Sequence, residues 1–193
     1  MSDTSTGTTL KIAVILGSTR PGRNGKAVAD WIVDRAGART HAEYELVDLA
    51  DWPLPFMDEP VPPSMGQYQG ALTKAWAARI AEFDGFVFVT PEYNHSVPAV
   101  LKNAIDTVYA EWNNKAAAFV SYGTVGGIRA AEHLRSIASA VQLAHVHQQL
   151  AFSLFTDFEN LSLFKPGAHH DAPATKLFEE LEAWSTAMKA LRA

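Results

Sequence analysis

Residues 12–16, Ile-Ala-Val-Ile-Leu, form an unbroken apolar run that passes directly into Gly17-Ser18-Thr19-Arg20-Pro21-Gly22-Arg23-Asn24-Gly25. A strand apolar on both faces belongs inside a parallel sheet. After the loop, Val28, Trp31, Ile32 and Ala36 recur at helical spacing. Buried strand, small-residue loop and helix in that order suit an anion, because a helix start leaves backbone N–H groups unpaired and carries partial positive charge. Here the loop adds the hydroxyls of Ser18 and Thr19 and the guanidiniums of Arg20 and Arg23. An ordinary strand-to-helix turn would also contain Gly and Ser, but it has no need of two cations. The loop lacks the Lys-Ser/Thr pair of a P-loop and the G-x-G-x-x-G of a dinucleotide fold, so it reads as a cradle for a single terminal phosphate.

The rest of the chain repeats this rhythm. Residues 44–49 read as a second strand whose Glu45 and Asp48 suit an edge position. Five prolines between residues 50 and 70 make that stretch a stiffened loop, which either covers the sheet edge or serves as a lid or subunit contact, and its Trp52, Phe56 and Met57 require burial. A helix marked by Leu72, Trp76, Ile80 and Phe83 precedes the apolar strand 86–90, which runs into Pro91-Glu92-Tyr93-Asn94. A helix through Val108 follows, and then strand 116–120, which runs into Ser121-Tyr122-Gly123 and the glycines 126 and 127. The second half of residues 146–155 alternates as a last strand, residues 156–172 form a polar loop, and Leu177, Leu181, Trp184, Met188 and Leu191 stripe a final helix. This alternation implies an α/β fold: a parallel sheet with helices on both faces and a ligand beyond the carboxyl ends of the strands.

A chain of 193 residues suits a flexible tail over residues 1–9 and a single domain over 10–193, and 48% hydrophobic content is ample for its core. The net charge of −5 supplies no basic face for nucleic acid. Absence of cysteine excludes disulfides, thiolate metal sites and a thiol nucleophile. No apolar run reaches the length of a membrane span, and the first nine residues lack the regions of a signal peptide, so a cytoplasmic protein is expected.

The loops after the third and fourth strands offer aromatic faces, an amide, a hydroxyl and closely approachable backbone, which suits a planar heteroaromatic ring; Tyr93 and Tyr122 could equally cap the sheet edge. The segments GSTRPGRNG, PEYNHSVPAVLKNAIDTVYAEW and SYGTVGGIRAAEHLR resemble the three signature segments of the NADPH-dependent FMN reductase family, a flavodoxin-like group that includes quinone, azo and chromate reductases. The resemblance spans roughly residues 10–155. It implies a flavodoxin-like three-layer sandwich, a five-stranded sheet of order 2-1-3-4-5, noncovalent FMN, NADPH or NADH as electron donor, and homodimers or homotetramers. Carried over by position, it implies that Ser18, Arg20, Arg23, Asn24 and Gly25 hold the phosphate. Pro91, Glu92, Tyr93 and Asn94 lie beside the isoalloxazine and ribityl chain, and Ser121, Tyr122, Gly123 and Gly126 lie at its other edge. Many relatives place a serine where Arg23 stands before Asn24. Similarity to this family implies no protein acid or base: hydride passes from nicotinamide to flavin and on to free flavin, a quinone or a similar small acceptor, in ping-pong order. The alternative is an FMN-binding electron carrier or redox sensor without efficient NADPH oxidation.

Other residues carry blander expectations. His145 with His147, and His169-His170-Asp171, have metal-type ligands but read as solvated and off the ligand edge, so no metal is expected. His95-Ser96 resembles a hydrolase dyad without the surrounding elbow, and Lys102 with Asp106 is a helix-surface pair. Trp112 and Trp184 are candidates for a subunit interface.

Overall fold

A computed structural model describes residues 9–192. The tail expected over residues 1–9 therefore lies, except for Thr9, outside the described residues. Five strands alternate with five helices: β1 (Leu10–Leu16), α1 (Gly25–Ala36), β2 (Ala42–Asp48), α2 (Ala71–Ala81), β3 (Gly85–Pro91), α3 (Ala99–Asp106), β4 (Lys115–Gly123), α4 (Ile128–Ala140), β5 (Leu143–Ser153) and α5 (Asp171–Lys189). The strands form one parallel sheet in the order β2-β1-β3-β4-β5, as the resemblance implied. The more polar β2 occupies an edge, and β3, buried at every position, occupies the centre.

Alternate residues of the strands face opposite layers. Ala13, Ile15, Phe86 and Phe88 pack with α2, α3 and α4, whereas Ile12, Val14, Leu16 and Val87 pack with α1 and α5. The result is three layers, with a core on each face of the sheet. Strand order reverses between β1 and β3, so the crevice beyond their carboxyl ends lies among the loops that follow β1, β3 and β4.

Five sequence expectations change, one of them in the proline-rich loop. Trp112 is fully buried, stacks edge-on against Phe86 with centroids 4.8 Å apart, and donates its indole N–H to the Ile105 carbonyl at 3.0 Å. It is a core residue, not an interface candidate; of the two, Trp184 is the exposed one. Strand β5 includes the first half of its segment, starting at Leu143, because a bulge hides the alternation. From Ala117↔His145 to Phe119↔Gln149 the register advances two residues on β4 and four on β5. Residues 156–172 are not simply a polar loop: Phe158–Glu159 (β6) pairs antiparallel with Leu163–Phe164 (β7), and Phe158 is buried. Finally, His170 is buried and bonds Asp157 in the segment that follows β5, on the ligand edge of the sheet.

In the proline-rich loop, Trp52 packs on Trp76 at 5.0 Å, and Asn103 holds the backbone, donating to Pro55 O at 2.8 Å and accepting from Met57 N at 3.2 Å. The side chains of Phe56 and Met57 nevertheless remain exposed.

Candidate cofactor site at the carboxyl edge of the sheet

Three loops converge beyond the central strands. Gly17 N donates to the Val89 carbonyl at 2.8 Å, which turns the chain tightly as it leaves β1. A Cβ on Gly17 would lie 2.8 Å from the Leu101 side chain and 3.0 Å from Val89 O. One on Gly25 would lie 2.5 Å from the Tyr122 hydroxyl and 3.1 Å from Ser18 Oγ. Glycine at these positions therefore lets the loop and the start of α1 close onto the strands. Ser18 is buried, and its hydroxyl lies 3.3 Å from that of Tyr122, so the first loop is joined directly to the third.

Burial pushes the Tyr122 phenol up to about 12, with the Ser18 hydrogen bond pulling the other way. It is a neutral hydroxyl at physiological pH. Its ring is buried at 5% exposure and tilted against Phe158, so Tyr122 braces the site from behind and presents no open flat face. Ser121 is likewise turned inward, donating to Gly126 O at 2.7 Å.

The two arginines of the first loop have different roles. Arg23 ion-pairs with Asp48 at the end of β2 and donates to the Ser18 carbonyl, so it shapes the loop. Arg20 is exposed, and among the described residues no acidic side chain pairs with it. Asn24 does not cap α1; its amide donates to Leu161 O at 2.9 Å, tying the loop to the β6–β7 hairpin. The N–H groups of Gly25, Lys26 and Ala27 find no acceptor among the described residues, leaving an electropositive helix start beside Arg20.

At the end of β3, Pro91 is buried and pairs in register with Tyr122. Glu92 N donates to Tyr122 O at 3.1 Å. The Glu92 carboxylate is engaged at the start of α4, accepting from Arg129 twice, from its backbone N at 3.0 Å and its Nη1 at 2.8 Å. Burial pulls the Glu92 carboxyl up, but these hydrogen bonds and the Arg129 charge outweigh it and hold the group below the usual carboxylate range. Tyr93 and Ser96 then exchange backbone hydrogen bonds of 2.9 and 3.0 Å across Asn94 and His95, both at positive φ. The tip of this turn presents a half-exposed Tyr93 ring. Ser96 meets His133 of α4, Oγ to Nδ1 at 2.9 Å, and not its neighbour His95. In the third loop Gly126 and Gly127 both take positive φ, and a Cβ on Gly127 would lie 2.8 Å from Tyr122 N and O.

The structure thus brings Ser18, Gly25 and Tyr122 into contact and sets Pro91, Glu92, Gly123 and Gly126 beside them. Arg20, Tyr93 and Asn94 stand on the rim, while Arg23 and Asn24 serve the loop itself. Sequence reasoning missed Asp48, Arg129 and Gly127. Only the doubled glycine carried a local signal.

The family model for NADPH-dependent FMN reductases matches residues 10–157. An NAD(P)H-dependent FMN reductase of Schizosaccharomyces pombe is 47% identical over 137 residues, covering 70% of this chain and 68% of that protein. The quinone reductase of Escherichia coli K12 is 37% identical over 136 residues, covering 66% and 69%. Among solved structures, the flavoenzyme NAD(P)H:(acceptor) oxidoreductase FerB of Paracoccus denitrificans superposes with a TM-score of 0.70 at 20% identity, covering 93% of this chain and 99% of that one. With its sheet order, its three converging loops and a family match over most of its length, this chain belongs to the NADPH-dependent FMN reductase family.

Proposed function

We propose that the protein is an FMN-containing NAD(P)H-dependent oxidoreductase that reduces quinones, free flavin or similar small flat acceptors in ping-pong order. The observation that carries this reading is the junction of the first and third loops through Ser18 and Tyr122, beside which stand the exposed Arg20 and half-exposed Tyr93; in this reading Arg20 and the start of α1 would take a phosphate and the Tyr93 turn a flat ring. The family match and the reductase names of the relatives support the redox chemistry.

The residues present fit FMN. Arg20 and the free N–H groups of Gly25, Lys26 and Ala27 match a terminal phosphate dianion, and the Ser18 hydroxyl lies 3.1 Å from where a Cβ on Gly25 would stand. Tyr93 provides an aromatic surface, while the backbone N–H groups of Asn94, Thr124 and Val125 have no acceptor among the described residues and are free to hydrogen-bond ring carbonyls. Such fixed donors would stabilise negative charge on a bound ring at no cost in reorganisation. When bound, FMN would supply hydride acceptance from NAD(P)H and delivery to the second substrate. The chain's part is to orient the ring, keep one face open and let the two substrates use that face in turn. Shared use of one face is what makes the order ping-pong.

The test is an absorption spectrum of protein mixed with FMN and desalted, before and after anaerobic NADPH, followed by initial rates with NADPH and a quinone varied together. Retained colour that bleaches promptly, with parallel double-reciprocal lines, is expected. Flavin that stays oxidised under NADPH would make the protein a carrier or sensor, and intersecting lines would remove the ping-pong order.

A further inference from the structure

We propose that Asp157, His169 and His170 form a binding site for a divalent transition-metal ion of the zinc class. The proposal rests on none of the flavin assignments. One ligand atom from each of these three side chains lies within 4.8 Å of the other two. Two of the three are buried, Asp157 at 2% and His170 at 9% exposure, which distinguishes the cluster from acidic groups scattered on a surface. His169 is exposed, and its ring lies against that of His170 with centroids 4.1 Å apart.

The cluster is rigid where a ligand must be rigid and open where an ion must enter. Asp157 Oδ2 is fixed by Ser153 N at 2.8 Å and Thr156 Oγ1 at 3.1 Å, leaving Oδ1 to face His170 Nε2 at 2.8 Å. Phe152 packs on the His170 ring at 4.5 Å and restricts its rotation. These hydrogen bonds and this packing orient ligands from outside, as partners behind metal ligands do. Two imidazoles and one carboxylate match the preference of zinc and its neighbours for nitrogen and oxygen donors, with water completing the set on the His169 side.

Tetrahedral coordination at about 2.1 Å places ligand atoms about 3.4 Å apart. Reaching it requires the exposed His169 ring to move inward, and the Asp157–His170 contact to open as the ion takes the position of the shared proton. The His170 ring proton then resides on Nδ1. The Asp157 carboxylate supplies the negative charge beside His170, while Asp171 in the first turn of α5 offsets the electropositive helix start and pairs with Arg35 at 3.1 Å. The other histidine pair is the contrary case. Arg135 Nη1 lies 3.0 Å from His145 Nδ1, so a fixed cation already faces that ring.

An ion here would join the end of β5 to the start of α5 and close the segment that carries the β6–β7 hairpin. Leu161, between the two short strands, accepts from Asn24 of the first loop, so the segment held by the ion touches the loop assigned to phosphate.

The experiment uses the full chain, loaded with FMN, stripped with chelator and titrated with zinc chloride by calorimetry, with long-range 1H–15N spectra of the imidazoles in parallel. Expected are one zinc per chain, at least tenfold weaker binding in His169→Ala, unchanged binding in His147→Ala, and a His170 Nε2 signal that shifts from a protonated to a coordinated nitrogen. A zinc-dependent rise in Tm should be present in wild type and absent in His169→Ala. Because His169 is exposed, that variant folds. No zinc uptake by wild type, equal affinity in His169→Ala, or loss of binding in His147→Ala would overturn the site.

Discussion

The hydroxyl of Tyr122, at the end of β4, lies 3.3 Å from the hydroxyl of Ser18 in the loop that follows β1, and the strand between them in the sheet is β3. This buried hydrogen bond, made across 104 residues of sequence, makes the first and third loops one structure. A buried neutral hydrogen bond contributes about 1 kcal/mol. Tyr122→Phe and Ser18→Ala should therefore each weaken FMN binding by about fivefold, and the double variant should lose little more than either single one. Fluorescence titration of FMN checks this. Fully additive losses would show that the two hydroxyls act separately.

Arg20 and Arg23 are neighbours in sequence with different work in the fold. Arg20→Ala removes a cation that no described carboxylate holds, so FMN affinity should fall about 10- to 100-fold while Tm stays within a degree or so. Arg23→Ala leaves the part-buried Asp48 carboxylate without its partner and the Ser18 carbonyl without a donor, which should cost about 1–3 kcal/mol of stability. Flavin titration and urea denaturation of both variants separate the roles. Equal flavin content in Arg20→Ala and wild type would count against the phosphate assignment.

Gly127 is held at φ +71°, with Tyr122 N and O each 2.8 Å from where a Cβ would stand. Gly127→Ala meets a strained backbone conformation and a clash with main-chain atoms that cannot swing aside, so the third loop must shift away from β4. A loss of about 1–3 kcal/mol is expected, together with weaker FMN retention, because the backbone donors of Thr124 and Val125 move with the loop. Denaturation midpoints close to wild type would mean the loop has freedom that its geometry denies.

The alternation of strands and helices was legible because apolar residues recur with the period of each element, and the all-buried β3 was legible as an uninterrupted run. What escaped was set by distant contacts. The partner of Arg23 is Asp48, which the parallel register places opposite Leu16 at the mouth of the first loop; nothing within the loop announces it. The first half of β5 escaped because its bulge breaks the two-residue period, and Arg135 fills the gap by donating to Val146 O, His147 O and Gln149 Oε1. Residues 156–172 read as a polar loop, although Phe158 and Phe164 hold the hairpin together with ring centroids 4.9 Å apart. That hairpin in turn conceals the Asp157–His170 contact, which composition alone cannot place.

Lys115 offers a test at the opposite end of the sheet. It opens β4, is only 4% exposed, and donates to the Ile80 carbonyl at 2.8 Å and the Ala81 carbonyl at 3.3 Å near the end of α2. Burial, reinforced by the positive charge of Arg192 and opposed by Asp84, pulls its ammonium down to about 8. Between about pH 8 and the ordinary lysine value near 10.4, the unfolded chain binds more protons at this site than the folded one. The sign follows directly: stability attributable to Lys115 rises with pH across that window and falls as pH drops through about 8. Compared with Lys115→Met, which removes the titration and keeps the apolar stem, wild type should gain up to about 3 kcal/mol between pH 7.5 and 10. Taking the difference cancels the tyrosines and other groups common to both proteins. Urea denaturation at half-unit pH steps measures it, and a flat difference would show that the buried amine keeps its ordinary affinity for the proton.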